Sequence, residues 1–405
     1  MGRNAIVGQS GGPTAVINSS LVGVFQAAKS RGAQHVYGMR YGVKGLLEEQ
    51  VVDLSDTLRD NLDIEILKRT PASYLGSCRY KLPVPAEDPA LYEKLFGILK
   101  KLDVGYFFYI GGNDSMDTIS KLSDYACMTG SDIKFMGVPK TIDNDLMNTD
   151  HTPGYGSAAK YIGAIMKEIT RDSLVYGTRN VTIVEVMGRN AGWLTGAAAL
   201  AKAEDCEGVD MICLPEVAFD IDHFIERLDV LQRAKAGVVI AVSEGVRVHD
   251  GRYVCELTEE LGPVDAFGHK TLTGAARFLA NKAVRELGCK ARAIELSTLQ
   301  RCSSHMASRV DEAFQVGGAA AKAAFEGHSG EMVGLRRLSN DPYQCTTELH
   351  DIHTIANFEK KVPGEWITPD GVGVTQEFLA YMRPLIQAEL TPIYVDGLPR
   401  HIYIK

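Results

Sequence analysis

The stretch Gly137-Val138-Pro139-Lys140-Thr141-Ile142-Asp143-Asn144-Asp145 puts a cation, a hydroxyl and two carboxylates within six positions. A carboxylate can take the proton of an alcohol, and a nearby cation can steady phosphate oxygens as charge builds on them. The apolar run just before, residues 133–138, reads as a buried strand of a parallel sheet. Pro139 ends that strand because it has no N–H to give the ladder. Ligands of open α/β sheets sit beyond the carboxyl ends of the strands, where these polar residues stand. Asp143 and Asp145 face one cleft if the loop stays extended. An Asx-rich turn would use the same residue types.

Other strand exits carry polar groups too. Residues 4–7 run into Gly8-Gln9-Ser10-Gly11-Gly12-Pro13-Thr14, then a helical pattern over about 15–30. Strand, glycine turn and helix is the geometry in which free N–H groups and the helix dipole hold a phosphate. The turn is neither a Walker A loop nor G-x-G-x-x-G, which removes the dinucleotide-binding dehydrogenases. The strand at 104–110 ends in Gly111-Gly112-Asn113-Asp114-Ser115, before a helix over 116–128. The strand at 181–186 ends in Met187-Gly188-Arg189-Asn190, before a helix over 191–203. The strand at 237–242 exits into Ser243-Glu244-Gly245. Any one of these fits tight packing or turn chemistry, but their recurrence at strand exits points to a site. Arg79, just after a glycine turn, is either a phosphate clamp or a surface residue. Further strands are expected at 35–39 and 210–214, and alternating strands and helices imply doubly wound parallel sheets. The tail from about Ser329 reads as less regular, with a last strand at 402–404.

The 405 residues suggest two or three domain-sized units, and 45% hydrophobic content supplies their cores. A net charge of −8 argues against a nucleic-acid partner. The eight cysteines are scattered without a C-x-x-C pair, which implies reduced thiols and a cytoplasmic location. The chain enters a strand at once, leaving no room for a signal peptide, and no apolar run reaches the ~20 residues of a membrane span. His151, His269 and His305 show no metal spacing and are expected to be packing or solvent residues; Trp193 and Trp366 are expected in a core.

GGNDS at 111–115, PKTIDND at 139–145, MGRNAGW at 187–193 and Leu299-Gln300-Arg301, in this order, resemble the phosphofructokinase family over about residues 5–309. Within it the chain is similar to the pyrophosphate-dependent branch, because ATP-using relatives carry Gly where Asp114 stands and commonly where Lys140 stands. The resemblance implies two doubly wound, Rossmann-like α/β domains with a cleft between them. Residues 1–154 plus about 302–365 would bind diphosphate and Mg2+. Residues 155–301 plus about 366–405 would bind the sugar phosphate. The implied reaction moves a phosphoryl group from diphosphate to O1 of fructose 6-phosphate, reversibly and with Mg2+.

Roles follow residue by residue from the same resemblance. Asp143 matches the catalytic base. Asp114 would repel the α-phosphate of a nucleotide, and Lys140 would contact the donor. Gly12 and Arg79 match diphosphate contacts. Thr141, Ile142, Asp143, Met187, Gly188, Arg189, Glu244, Arg292, Thr298 and Arg301 match the sugar-phosphate site, with Arg292 and Arg301 on the 6-phosphate. Asp145 and Asn113 match the metal positions, although Asn113 stands where relatives have Asp. Asn180 replaces an arginine that reaches into a neighbouring subunit, with Arg179 as a substitute. Val22 and Gln26 replace effector-site arginines, so nucleotide regulation is not expected. Shared sites imply a homodimer or homotetramer. The competing readings are an ATP-dependent 6-phosphofructokinase and a non-catalytic sugar-phosphate-binding regulatory subunit.

Overall fold

The computed structural model describes residues 3–257, 272–303 and 306–404, so His269 and His305 lie outside the described residues. Contacts divide the chain into two compact units. The first is Met1–Ser157, Arg301–Glu359 and Ala388–Lys405; the second is Ala158–Gln300 and Lys360–Gln387. This corrects the expected division, which gave Arg301 and all of 366–405 to the second domain. The last stretch belongs to the first unit because Ile402 and Ile404 pack on its core, and the Ile402 N–H donates to Thr70 Oγ1 at 3.1 Å. Residues 402–404 form no strand.

Numbered along the chain, the first unit's strands are β1 (Asn4–Gln9), β2 (Val36–Met39), β3 (Val51–Asp53), β4 (Val104–Gly111) and β5 (Lys134–Pro139). The second unit supplies β6 (Asn180–Val186), β7 (Met211–Cys213), β8 (Gly237–Ser243) and β9 (Lys290–Glu295). The chain then returns to the first unit for β10 (Glu331–Asn340) and β11 (Tyr343–Asp351). The first sheet has the order β11-β10-β5-β4-β1-β2-β3, and the second β7-β8-β6-β9. The central pairings β1–β2, β1–β4 and β4–β5 are parallel, as are all those of the second sheet.

The continuous apolar run of β4 follows from burial on both faces. Phe108 and Ile110 enter one core with Val7, Met136 and Val138. Phe107 and Tyr109, one position out of phase, enter the other with Ile6 and Phe135. In the second unit Trp193 is buried, edge-on to the half-buried Trp366 with centroids 6.0 Å apart.

Three expectations are corrected. The helix after GGNDS spans Asn113–Thr129, because Gly112 takes the N-cap position and the helix absorbs Asn113 and Asp114. The expected helix over 191–203 is only Trp193–Gly196 followed by a 3₁₀ turn, Ala197–Ala201. Gly196, a poor helix former, is pressed so closely on Phe378 that a Cβ would lie 2.4 Å from its ring. The tail contains the long β10–β11 hairpin, whose first strand joins β5 in parallel. Among the described residues no helix is long and apolar enough to cross a membrane.

Candidate active site

In the first sheet β1, β4 and β5 are parallel neighbours, so their exits share one edge. The order reverses at β1, with β4 on one side and β2 on the other, and this opens a crevice for a ligand. Lys140 ties the three exits together. Its N–H donates to Gly111 O at 3.0 Å, and its Nζ donates to Gly12 O at 2.7 Å. Gly11 holds φ +74°, and a Cβ there would sit 3.2 Å from the Lys140 Nζ, so the turn needs glycine for both backbone and space. Lys140 is only 3% exposed. Burial pushes its pKa down to about 8; Asp143 and Asp145 oppose the shift, and Arg301 and Arg79 add to it. Arg79 belongs to a loop held on the Gly11 turn by Gly11 N–H to Cys78 O (3.2 Å) and Ser77 Oγ to Gly11 O (2.6 Å). Arg301 lies at the same turn: a Cβ on Gly12 would be 3.4 Å from its Cζ.

The acidic loop is turned rather than extended, the second of the two conformations its residue types allowed. Asn144 adopts φ +56°, a left-handed conformation that Asn tolerates. Its Oδ1 accepts the Thr152 N–H at 3.0 Å. The Thr152 hydroxyl donates to Thr141 O at 2.8 Å, and Thr141 bridges to Gly154. The Asp143 N–H donates to Thr141 Oγ1 at 3.1 Å, and that hydroxyl donates to Asp143 Oδ2 at 3.3 Å. Ile142 is buried. The turn keeps both carboxylates together: burial and the Asp143 charge push Asp145 up to about 7.

Asp145 Oδ1 is buried without a hydrogen-bond partner. A crowded carboxylate pair with an orphaned oxygen suits a hard divalent cation completed by substrate oxygens. Among the described residues no group of three or more His, Cys, Asp or Glu side chains is disposed to hold a metal by itself. The Asn113 amide is otherwise engaged: its Oδ1 accepts the Asn357 N–H at 2.9 Å, and its Nδ2 donates to Phe358 O. Asp145 therefore keeps the metal assignment better than Asn113. Asp114 is half-buried in the first turn of the Asn113–Thr129 helix, at the positive end of its dipole. It follows the β4 exit, next to the β5 exit that carries Lys140.

In the second unit the β6 and β8 exits interlock. The Glu244 N–H donates to Val186 O at 2.9 Å, and the Gly188 N–H reaches Glu244 Oε1 at 3.5 Å. The Ser243 hydroxyl donates to Gly188 O. Gly188 has φ +140°, open only to glycine at low cost. Met187 N–H donates to Gln300 Oε1 at 3.3 Å. Met187, Gly188, Arg189 and Glu244 are thus brought together, with Arg189 half-buried. Thr298 is exposed on the turn Ser297–Arg301 after β9. Arg292 is not brought to these exits. It pairs in register with Thr182 in mid-strand, about 16 Å back from Met187 at strand rise, and its Nη1 lies 4.0 Å from Asp172. Asn180 donates to Ser173 O and Thr178 O, and Arg179 pairs with Asp229 at 3.3 Å.

Sequence reasoning missed Glu216, which stands just past β7 and accepts the Gly192 N–H at 2.8 Å and the Val362 N–H at 3.0 Å. Leu214-Pro215-Glu216 was one more strand exit with an acid, and that was the available signal. His151, expected to be a packing or solvent residue, is buried, and two carboxylates that the sequence reading did not foresee flank it.

The phosphofructokinase family model matches residues 4–324. The pyrophosphate–fructose 6-phosphate 1-phosphotransferase of Methylococcus capsulatus is 40% identical over 99% of this chain and 95% of its own length. Two solved pyrophosphate-dependent phosphofructokinases superpose well. That of Nitrosospira multiformis has a TM-score of 0.88 at 37% identity, covering 99% of this chain and 96% of that one. That of Marinobacter aquaeolei has 0.86 at 38%, covering 98% and 95%. With the family's motifs on the strand exits and the match running through most of its length, the chain belongs to the phosphofructokinase family.

Proposed function

We propose that this enzyme transfers a phosphoryl group from inorganic diphosphate to O1 of fructose 6-phosphate, giving fructose 1,6-bisphosphate and phosphate, and runs reversibly. The observation that carries the reading is the buried Lys140 ammonium, bonded to Gly12 O beside Asp143 and Asp145, with Asp114 at the adjoining strand exit.

In the proposed mechanism Asp143 accepts the O1 proton, and the oxygen then attacks the terminal phosphorus of diphosphate. The bond from that phosphorus to the bridging oxygen breaks, and phosphate leaves. Lys140, Arg79 and the Gly12 amide take up the charge on the phosphate oxygens; phosphoryl transfer needs mainly such positioning and neutralisation. Arg301, expected on the sugar 6-phosphate, stands at the Gly12 turn and is assigned to the diphosphate instead. Family enzymes generally use a divalent metal; we assign Mg2+, which Asp145 would help to hold and which would neutralise phosphate charge. Met187, Gly188, Arg189 and Glu244 are assigned to the sugar.

Arg292 stands too far back along its strand to serve the same copy's sugar loops, which supports a homo-oligomer with shared sites. The eight free thiols support a cytoplasmic location. Coupled assays of fructose 1,6-bisphosphate formation with diphosphate and with ATP test the donor. Turnover with diphosphate is expected to dominate, and faster turnover with ATP would overturn the assignment.

A further inference from the structure

We propose that His151 is a positioning residue: clamped between Asp150 and Glu312, its imidazole locks the 141–154 turn that carries Asp143 and Asp145. His151 is 1% exposed. Its Nδ1 lies 2.8 Å from Asp150 Oδ2 and its Nε2 lies 2.7 Å from Glu312 Oε2. A neutral imidazole has a single N–H and would leave one carboxylate facing a lone pair, so this geometry calls for the doubly protonated ring.

The surroundings extend the alternation of charge. Arg337 on β10 donates to Asp150 Oδ2 through Nε (3.1 Å) and Nη2 (2.8 Å). The Tyr343 hydroxyl on β11 donates to Glu312 Oε1 at 2.7 Å. The Arg309 guanidinium, at the start of the helix Val310–Phe325, lies 3.9 Å above the Tyr343 ring. Cys345 on β11 lies nearby too, its thiol pushed up to about 11 by burial and by Glu312, and Asp311 and Glu389 line the same cavity.

The lock acts through the neighbouring residues. Asp150 N–H donates to Leu335 O (2.7 Å) and Leu335 N–H donates to Thr149 Oγ1 (2.9 Å), which stitches the loop to β10. Thr152, next to His151, holds both the Asn144 amide and the Thr141 carbonyl. Those two contacts lie on either side of Asp143. Burial alone would lower the His151 pKa, but its bonds to Asp150 and Glu312 raise it net. A histidine raised in the fold stabilises fully below its ordinary value and loses that contribution as pH climbs through the raised one. The lock therefore loosens on the alkaline side.

The claim rests on Asp143 as the base. Glu312→Gln keeps the size and an acceptor for Tyr343 but removes the charge. It is expected to bring the alkaline fall of kcat down by about one pH unit, with kcat on the acid side and both KM values within about threefold of wild type. A limb set by Lys140 would not respond to this substitution. A uniform loss of kcat at every pH, following Tm, or an unmoved limb would overturn the lock. Hydrogen exchange of the wild-type 141–152 peptide, corrected for intrinsic rate, needs no variant. Its protection is expected to fall about tenfold or more between pH 6 and 9 while that of β4 stays constant; equal behaviour of the two segments would refute the proposal. Full turnover by Asp143→Asn would remove the base assignment and leave the exchange result standing, so the two failures are distinguishable.

Discussion

In the proposed mechanism Lys140 acts as a cation, to attract the donor, and Asp143 acts as an anion, to accept the sugar proton. Burial has brought the lysine close to losing its charge, with a pKa of about 8. The active form is the cation, so kcat/KM for diphosphate is expected to decline as pH rises through about 8. Bound diphosphate restores the charge, so the fall in kcat itself comes at higher pH. A kcat/KM that stays flat well into the alkaline range would remove Lys140 from donor binding. Asp143→Asn is expected to lower kcat by ~10²–10⁴-fold with KM values nearly unchanged; near-normal turnover would take the base role from it. Asp145 carries the opposite signature. Its folded pKa is raised to about 7, so its protonated form favours the fold below that pH and its charge opposes the fold above it. Asp145→Asn should therefore raise Tm of the metal-free protein by a few degrees at mildly alkaline pH and abolish any Tm gain from added Mg2+. An unchanged Mg2+ response would place the ion elsewhere.

The proposed donor choice rests on the elements that present Asp114 and Lys140, a helix N-terminus and a strand exit. A carboxylate in a first helical turn is favoured by the dipole, so Asp114 can serve the fold and still repel a nucleotide. Asp114→Gly with Lys140→Gly is expected to raise ATP turnover relative to diphosphate turnover. No gain would mean that other residues exclude the nucleotide. The strands carrying these groups were legible because β4 and β5 are buried on both faces and read as unbroken apolar runs. The helix start at Asn113 was not, since Asn and Asp suit turns equally well. The β10–β11 hairpin was hidden because much of it is only half-buried and its polar positions break the alternation. His151 is buried, in keeping with the packing half of its expectation, but the two carboxylates that flank it were not legible. Of its two partners Asp150 is adjacent, but Glu312 lies 161 positions away along the chain, beyond the reach of spacing arguments.

At the scale of the whole molecule, the sugar-site roles proposed for Arg292 and Glu244 do not meet within one chain. Both belong to the second sheet, yet Glu244 follows the β8 exit while Arg292 pairs with Thr182 inside the sheet. An arginine side chain does not cover that distance, whereas an isologous pairing of two copies can bring one copy's arginine to the other's sugar loops. Arg292→Ala and Glu244→Ala are each expected to be inactive or severely weakened as pure proteins. Mixing them under conditions that let subunits exchange gives hybrids in which one site carries both defects and the other carries neither. For random pairing into dimers, recovered activity is expected to reach about a quarter of wild type. Cross-linking the two proteins separately before mixing should prevent the recovery. No recovery despite proven exchange would mean that Arg292 acts within its own chain, through a strand arrangement other than this one. Full activity of Arg292→Ala alone would remove it from the site.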